Sequence, residues 1–301
     1  MLEGGVEVWR GGVNAWQCDQ MGHLNVRFYV AHAMEGLVGL AGALGLPRAL
    51  APRGAATLQV REHHIRFLKE ARLGDPLHMT AGLLEMGEDS ASAVLLLMHS
   101  LEDVPAAIVQ TRVAHVSSGE ARPFPWPRSA RARAEALRVE LPAGLGARSL
   151  HPGARIPQRT LQEADSAGLI RYGAGAFGPQ DCDVFGRVAA HQMMARLGDG
   201  AANGIAVMRG AVGEHVGFAV VEYRIVYFEP AHAGGRYAAR AGLIQAEPRR
   251  FGWSYWMFDA DTSAPLAAAR SVLVPFDLDA RKAMTLPDDA VARLREKRVE
   301  F

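Results

Sequence analysis

The stretch "WQCDQMGHLN", residues 16 to 25, brings together the thiol of Cys18, the carboxylate of Asp19, the imidazole of His23 and the amide of Asn25. An isolated aspartate is a weak nucleophile and a weak base. It becomes useful when its reaction partner is held close and an opposing group takes up the developing charge. Both parts fit in this one turn. Gly22 permits a tight backbone, and an apolar helical pattern starts near Asn25. The first amides of such a helix carry about half a positive charge and suit an oxyanion. Asp19 could then attack a carbonyl, or direct water at it, while the helix end holds the oxygen. Acyl transfer to water is the reaction class this suggests. The plainer reading of the same carboxylate is a helix-start cap.

The chain says nearly the same thing again at "QDCDVFGR", residues 180 to 187. An offset of 164 (182 minus 18) pairs Cys18 with Cys182, Asp19 with Asp183, Gly22 with Gly186 and Glu35 with Asp199. Further on, an offset of 160 (222 minus 62) pairs Glu62 with Glu222, Ile65 with Ile225, Phe67 with Tyr227 and Gly74 with Gly234. Pro127 and Pro287 fall at the same offset, each opening a helix-like Ala/Arg/Glu segment, where a residue without an N–H is well tolerated. Ordered matches over this span imply a tandem duplication.

Around each aspartate the pattern predicts a strand, a turn, a long helix and four more strands. In the first half these are a strand over Val6–Gln17, a helix with apolar residues at Val26, Tyr29, Val30, Ala33, Met34, Leu37 and Val38, and strands over Thr57–Phe67, Pro76–Gly87, Ser90–Leu101 and Ala106–Ser117. Gly36, Gly39, Gly42 and Gly45 punctuate the helix at a cost of about 1 kcal/mol each, which suggests that another surface approaches its backbone. The expected class is α+β, a helix wrapped by a curled antiparallel sheet. A Pro/Gly/Arg-rich stretch near 140–158 reads as the connector.

Composition narrows the function. The 301 residues are 49% hydrophobic and 22% charged, with a formal net charge of +1. No overall basic field is present to hold nucleic acid or an anionic membrane. Two cysteines suggest no disulfide framework, and no leader or membrane-spanning run is visible, so a soluble, cytoplasmic protein is expected. Cys18 and Cys182 read as small packing residues rather than nucleophiles. Neighbours His63 and His64 should point to opposite faces of a strand, so no metal site is expected. Glu35 and Asp199 read as structural acids, Glu62 and Glu222 as polar groups with a lesser claim on a cleft, and Arg249–Arg250 as an exposed hairpin turn rather than a phosphate site.

The run "DQMGHLN" before "FYVAHAME", with "REHHIRFLKEARLGDPLHM" after it, resembles the hotdog-fold acyl-CoA thioesterases of the 4-hydroxybenzoyl-CoA thioesterase type, whose motif is Asp-x-x-Gly-His-x-Asn ahead of a long central helix. The resemblance covers both halves and implies a double hotdog: an N-terminal domain over 1–140, a linker over 141–158 and a C-terminal domain over 159–301. It places Asp19 on the catalytic carboxylate, the Val26 amide on the oxyanion site, and His23 and Asn25 on supporting positions. The site in that family lies between two hotdog units, which a duplicated chain can supply by itself. Asp183 marks a possible second site, but Arg187 and Ala189 replace the histidine and asparagine there, so one principal site at Asp19 is expected. The implied substrate is an acyl-CoA, with coenzyme A entering as substrate and no bound cofactor; a homodimer is the expected assembly. Two alternatives stay open: an enoyl-CoA hydratase or dehydratase using His23 with Glu35, and a non-catalytic acyl-CoA-binding module.

Overall fold

The computed structural model describes residues 2–301. They form two compact units: residues up to Ala147 with Cys182–Met194, and Arg148–Asp181 with Ala195–Phe301.

In the first unit, β1 (Val6–Gly12) leads through a 3₁₀ turn at Ala15–Gln17 into α1 (Val26–Ala43), then β2 (Ala56–Phe67), β3 (Pro76–Met86), β4 (Ser90–His99), β5 (Val104–Ser117) and α2 (Arg128–Ala136). The strands form an antiparallel sheet in the order β1-β3-β4-β5-β2. The first strand stops earlier than its pattern implies. Its partner β3 begins at Pro76, opposite Gly12, so the ladder ends there and the chain is free to turn. Helix α1 buries Tyr29, Val30, Ala33, Leu37, Leu40 and Ala41. Within α1 the close approach suggested by the glycines occurs at Gly36 and Gly39, while Gly45 lies past the helix end and meets the Arg133 side chain. A Cβ on Gly36 would lie 2.6 Å from the Met79 sulfur, and one on Gly39 would lie 2.5 Å from the Val8 carbonyl oxygen.

Strand β4 shows why "AVLLLMH" has no alternation. Leu95 faces α1 beside Gly36, while Val94, Leu96 and Met98 enter a second apolar layer with Leu2, Ile108 and Val139. Both faces of this antiparallel sheet are covered, a situation more usual for parallel sheets. Part of the cover is the start of the connector: Arg66 on β2 donates to the carbonyls of Gly144 at 2.7 Å and Gly146 at 2.8 Å.

The second unit contains α3 (Leu161–Ser166), β6 (Ile170–Ala176), α5 (Ala201–Val212), β7 (Val216–Tyr227), β8 (Arg236–Glu247), β9 (Arg250–Asp259), β10 (Pro265–Asp277), β11 (Lys282–Ala283) and α6 (Asp288–Arg295). Helix α4 (Ala190–Asp199) runs into it from Cys182–Met194. The sheet order is β6-β8-β9-β10-β7, with β11 on β10. The long helix expected here is broken at Gly200, where the Tyr172 ring takes the space a side chain would need. Glu222 on β7 serves the connector: it accepts hydrogen bonds from the amides of Arg148 and Ser149 at 3.0 Å and Leu150 at 3.2 Å. Arg224 donates to the Ala154 carbonyl. The connector is a strap held by buried charged side chains, rather than a free tether.

Pro127 and Pro287 cap α2 and α6, as their sequence positions imply. Each unit pairs helical structure with a curled antiparallel sheet, the double hotdog that the family resemblance implies. No described helix is long and apolar enough to cross a membrane.

Candidate active site

The Asp19 turn is built from local bonds. Gln17 reaches back through Oε1 to the Asn14 amide at 2.9 Å, closing the 3₁₀ turn. Cys18 and Leu24 then form an isolated antiparallel bridge. Across it, the Asp19 amide donates to the His23 carbonyl at 2.8 Å and the Gly22 amide to the Asp19 carbonyl at 3.0 Å. Gly22 sits at φ +77 with nothing near its absent Cβ, so glycine is used for its backbone conformation alone. The loop is pinned from outside by the Leu24 amide on the Ala71 carbonyl at 2.7 Å.

Asp19 is exposed, and its Oδ1 accepts the amides of Met21 at 2.8 Å and His23 at 3.1 Å. One carboxylate oxygen therefore organises the turn. Asn25 caps α1 by accepting from the Arg27 amide at 3.1 Å, and its carbonyl takes the Phe28 amide at 2.9 Å. The Val26 amide, first in the helix, has no intrahelical partner by geometry. Carboxylate, helix start and the Val26 amide thus follow one another within a single hydrogen-bonded turn.

The supporting groups pair differently from one sequence alternative. His23 Nε2 lies 3.0 Å from Glu70 Oε2, which Arg72 also contacts at 3.0 Å. Glu35 instead bonds His32, Nδ1 to Oε2 at 2.8 Å. The His23–Glu35 pair that a hydratase reading needs is not formed. Tyr29, next to the turn, has its phenol pushed well above the usual range by burial, with the charges of Glu70, Asp19 and Asp75 adding to the effect.

The second turn repeats the first. Asp183 Oδ1 accepts the amides of Phe185 at 2.8 Å and Arg187 at 3.1 Å, and Gly186 sits at φ +75. Its surroundings differ. Ala189 offers α4 no side-chain cap, only a carbonyl for the amides of Gln192 and Met193. Arg187, in the place of His23, is buried and donates to the Ser118 carbonyl at 2.6 Å.

Other sequence candidates are structural. Burial pushes the His63 imidazole down to about 3, and His64 lies 3.5 Å from Gln110 in the core. Arg250 pairs with Glu247 across its hairpin, and Arg249 with the Thr285 hydroxyl. Neither cysteine is in a disulfide, and both are half-buried. Sequence reasoning passed over Gln17, His32 and Glu70. A histidine three residues before an acid on one helix was the available signal for His32.

No curated protein sequence matches the chain significantly. Among solved structures, the chain resembles a Lactobacillus plantarum protein assigned as an oleoyl thioesterase, with a TM-score of 0.69 at 13% identity over 94% of this chain and 98% of that one. It also resembles an acyl-ACP thioesterase from Bacteroides thetaiotaomicron, with a TM-score of 0.67 at 10% identity over 90% and 98%. A third likeness is to the 12:0-ACP thioesterase from Umbellularia californica, with a TM-score of 0.69 at 10% identity over 91% and 95%. At these identities the likeness is one of fold. The sequence profile of the thioesterase-like superfamily matches twice, over residues 13–134 and 177–294. The starts and ends of those segments keep the offsets of 164 and 160 seen in the repeat (177 minus 13, 294 minus 134), and each contains one aspartate turn. The chain belongs to the thioesterase-like superfamily.

Proposed function

We propose that the protein hydrolyses acyl thioesters, with acyl-CoA as the substrate and Asp19 as its central residue. The observation that carries the reading is one continuous turn in which the Met21 and His23 amides fix Asp19 through Oδ1 and Asn25 caps the helix that Val26 opens. In this mechanism Oδ2 attacks the thioester carbonyl or takes a proton from an attacking water. The Val26 amide holds the carbonyl oxygen as it becomes negative. The carbon–sulfur bond then breaks. When water attacks, the proton taken by Oδ2 passes to the departing thiolate and the free acid is released. When Oδ2 attacks, the thiolate takes its proton from water, and the acyl group stays on Asp19 as an anhydride until a water hydrolyses it to the acid and restores the carboxylate. His23, held by Glu70, and Asn25, holding Arg27, keep the turn in place. No bound cofactor is required, because coenzyme A arrives and departs with the substrate. The protein acts in the cytoplasm, as a homodimer.

Two of the structural relatives are described as acting on acyl-carrier protein. The test is therefore thiol release from panels of acyl-CoAs and acyl-carrier proteins, by wild type and Asp19→Asn. Asparagine keeps an oxygen for the Met21 and His23 amides, so the turn survives, while the Oδ2 function is lost. Turnover should fall about 10²- to 10⁴-fold. Wild-type turnover in the variant, or consumption of an enoyl-CoA without thiol release, sinks the reading.

A further inference from the structure

Behind the Asp19 turn lies a chain of bonds that the catalytic reading does not use. Gln17 Oε1 faces the Asn14 amide, so its Nε2 must face the other way, toward His32 Nε2 at 3.4 Å. An amide N–H can only donate, so His32 Nε2 accepts and Nδ1 carries the ring proton. That proton goes to Glu35 Oε2 at 2.8 Å. The imidazole is buried, with the Trp9 ring against it at 4.3 Å between centroids. Gln17 also passes the constraint on through its backbone, because its carbonyl accepts the Asn25 amide at 2.9 Å. Asn25 is the cap of α1, so Gln17 is tied through its carbonyl to the start of the helix that Val26 opens and through its side chain to His32, in the next turn of the same helix.

The second copy keeps the design with other residues. At the offset of 164, Gln17, His32 and Glu35 become Asp181, Arg196 and Asp199. Arg196 bonds both oxygens of Asp181 at 3.0 Å and reaches Asp199 at 3.4 Å, and the Gly178 amide donates to Asp181 at 2.8 Å, as Asn14 does to Gln17. Two positions that change chemistry (amide to carboxylate, imidazole to guanidinium) while the third stays a carboxylate and the connection persists indicate that the connection matters more than its residues.

We propose that Gln17, His32 and Glu35 form a positioning relay that holds the Asp19 oxygen and the Val26 amide in register. Its catalytic consequence rests on the thioesterase reading, and its structural consequence does not. His32→Ala cuts the relay in the middle. Replacing all three residues by those of the second copy (Gln17→Asp, His32→Arg, Glu35→Asp) rebuilds it. Two measurements are needed: kcat and KM for thiol release, and amide hydrogen exchange across the chain. In His32→Ala, kcat should fall about 10- to 100-fold, as expected for a small misplacement of reacting groups, with KM within about twofold. Exchange should quicken over residues 19–28 while β4 stays protected. The triple variant should recover both.

An unchanged kcat with unchanged exchange overturns the relay, as does exchange that quickens throughout the molecule. A triple variant that keeps wild-type exchange elsewhere but stays loose at the turn also overturns it. If Asp19→Asn retains full turnover, the thioesterase mechanism fails, and the exchange data still decide the relay.

Discussion

The two aspartate turns match to within the precision of their bonds, yet the layers behind them are built on opposite principles. Asp19 and Asp183 each accept amides at 2.8 and 3.1 Å through one oxygen. Behind Asp19 stands an uncharged amide–imidazole contact ending on a half-exposed glutamate. The positions equivalent to that contact, Asp181 and Arg196, form an ion pair between a buried carboxylate and a partly exposed guanidinium. Burial opposes the charge on Arg196, but the hydrogen bond and charge of Asp181 outweigh it and hold the guanidinium above its usual pKa. What both copies retain is therefore the turn itself. The aspartate's first task is to shape the backbone, and any chemistry depends on what each copy adds: His23, Asn25 and the neutral relay in one, Arg187 and Ala189 in the other. That asymmetry supports one principal site at Asp19.

The largest test of the comparison sets Asp183→Asn beside Asp19→Asn. Against the loss of about 10²- to 10⁴-fold at Asp19, the Asp183 variant should change turnover less than about twofold. Equal losses would mean that both turns work and that the second copy's substitutions leave its chemistry intact.

The ion pair gives the next largest effect, on stability. Removing Arg196 strands Asp181, which is only 3% exposed, as an unpaired buried carboxylate. Arg196→Ala should cost about 3 kcal/mol in a urea titration, the lower end for a broken buried pair because the arginine is partly exposed. His32→Ala removes a neutral partner and should cost about 1–2 kcal/mol. A reversed order would show that the two layers are not the charged and neutral versions proposed.

A further pair of equivalent positions, His63 on β2 and Tyr223 on β7, divides the pH range. Burial lowers the His63 pKa to about 3, so the folded protein holds the ring neutral while the unfolded chain takes up a proton below about pH 6.5. Stability is then present at neutral pH and lost as pH falls from about 6.5 toward 3. At about pH 4.5 the loss should be on the order of 2–3 kcal/mol. Burial raises the Tyr223 phenol, so its contribution is lost in the other direction, as pH rises past about 10. Urea midpoints of wild type and His63→Leu at neutral and acid pH check the first limb. If the variant's acid loss equals that of wild type, His63 is not its source.

The parts of this architecture that were legible in the sequence are those set by local chemistry. Strand-like runs marked the strands, Asn25 marked the start of α1, and Pro127 and Pro287 marked two helix starts. Both aspartate turns were legible because glycine at the left-handed position and an Asx carboxylate act over four or five residues. What stayed hidden needed distant partners. Nothing near Arg66 or Glu222 says that they will hold carbonyls 78 and 80 residues away or amides 72 to 74 residues away. The break at Gly200 depends on Tyr172 arriving from β6. The buried outer layer was announced by an unbroken apolar run in β4, but that run alone does not say what covers it. Glu35 drew notice as an acid near the motif, and its partner His32 did not. A lone histidine in an apolar helix is an ordinary core residue until its neighbours are known.

The smallest contrast is also the cleanest, because it changes one atom group at a helix start. Asn25 accepts the Arg27 amide, and its counterpart Ala189 accepts nothing through its side chain. Asn25→Ala should cost about 1 kcal/mol of stability, and Ala189→Asn should gain a comparable amount if α4 begins with the same geometry as α1. Turnover separates the two roles of the cap. Asn25 lies between the Asp19 turn and the Val26 amide, so its loss should lower kcat along with stability. The gain at Ala189 should leave kcat unchanged. If Asn25→Ala destabilises the protein and leaves kcat untouched, the cap steadies the helix without setting the site, and the asymmetry between the copies must rest on His23 and the relay instead.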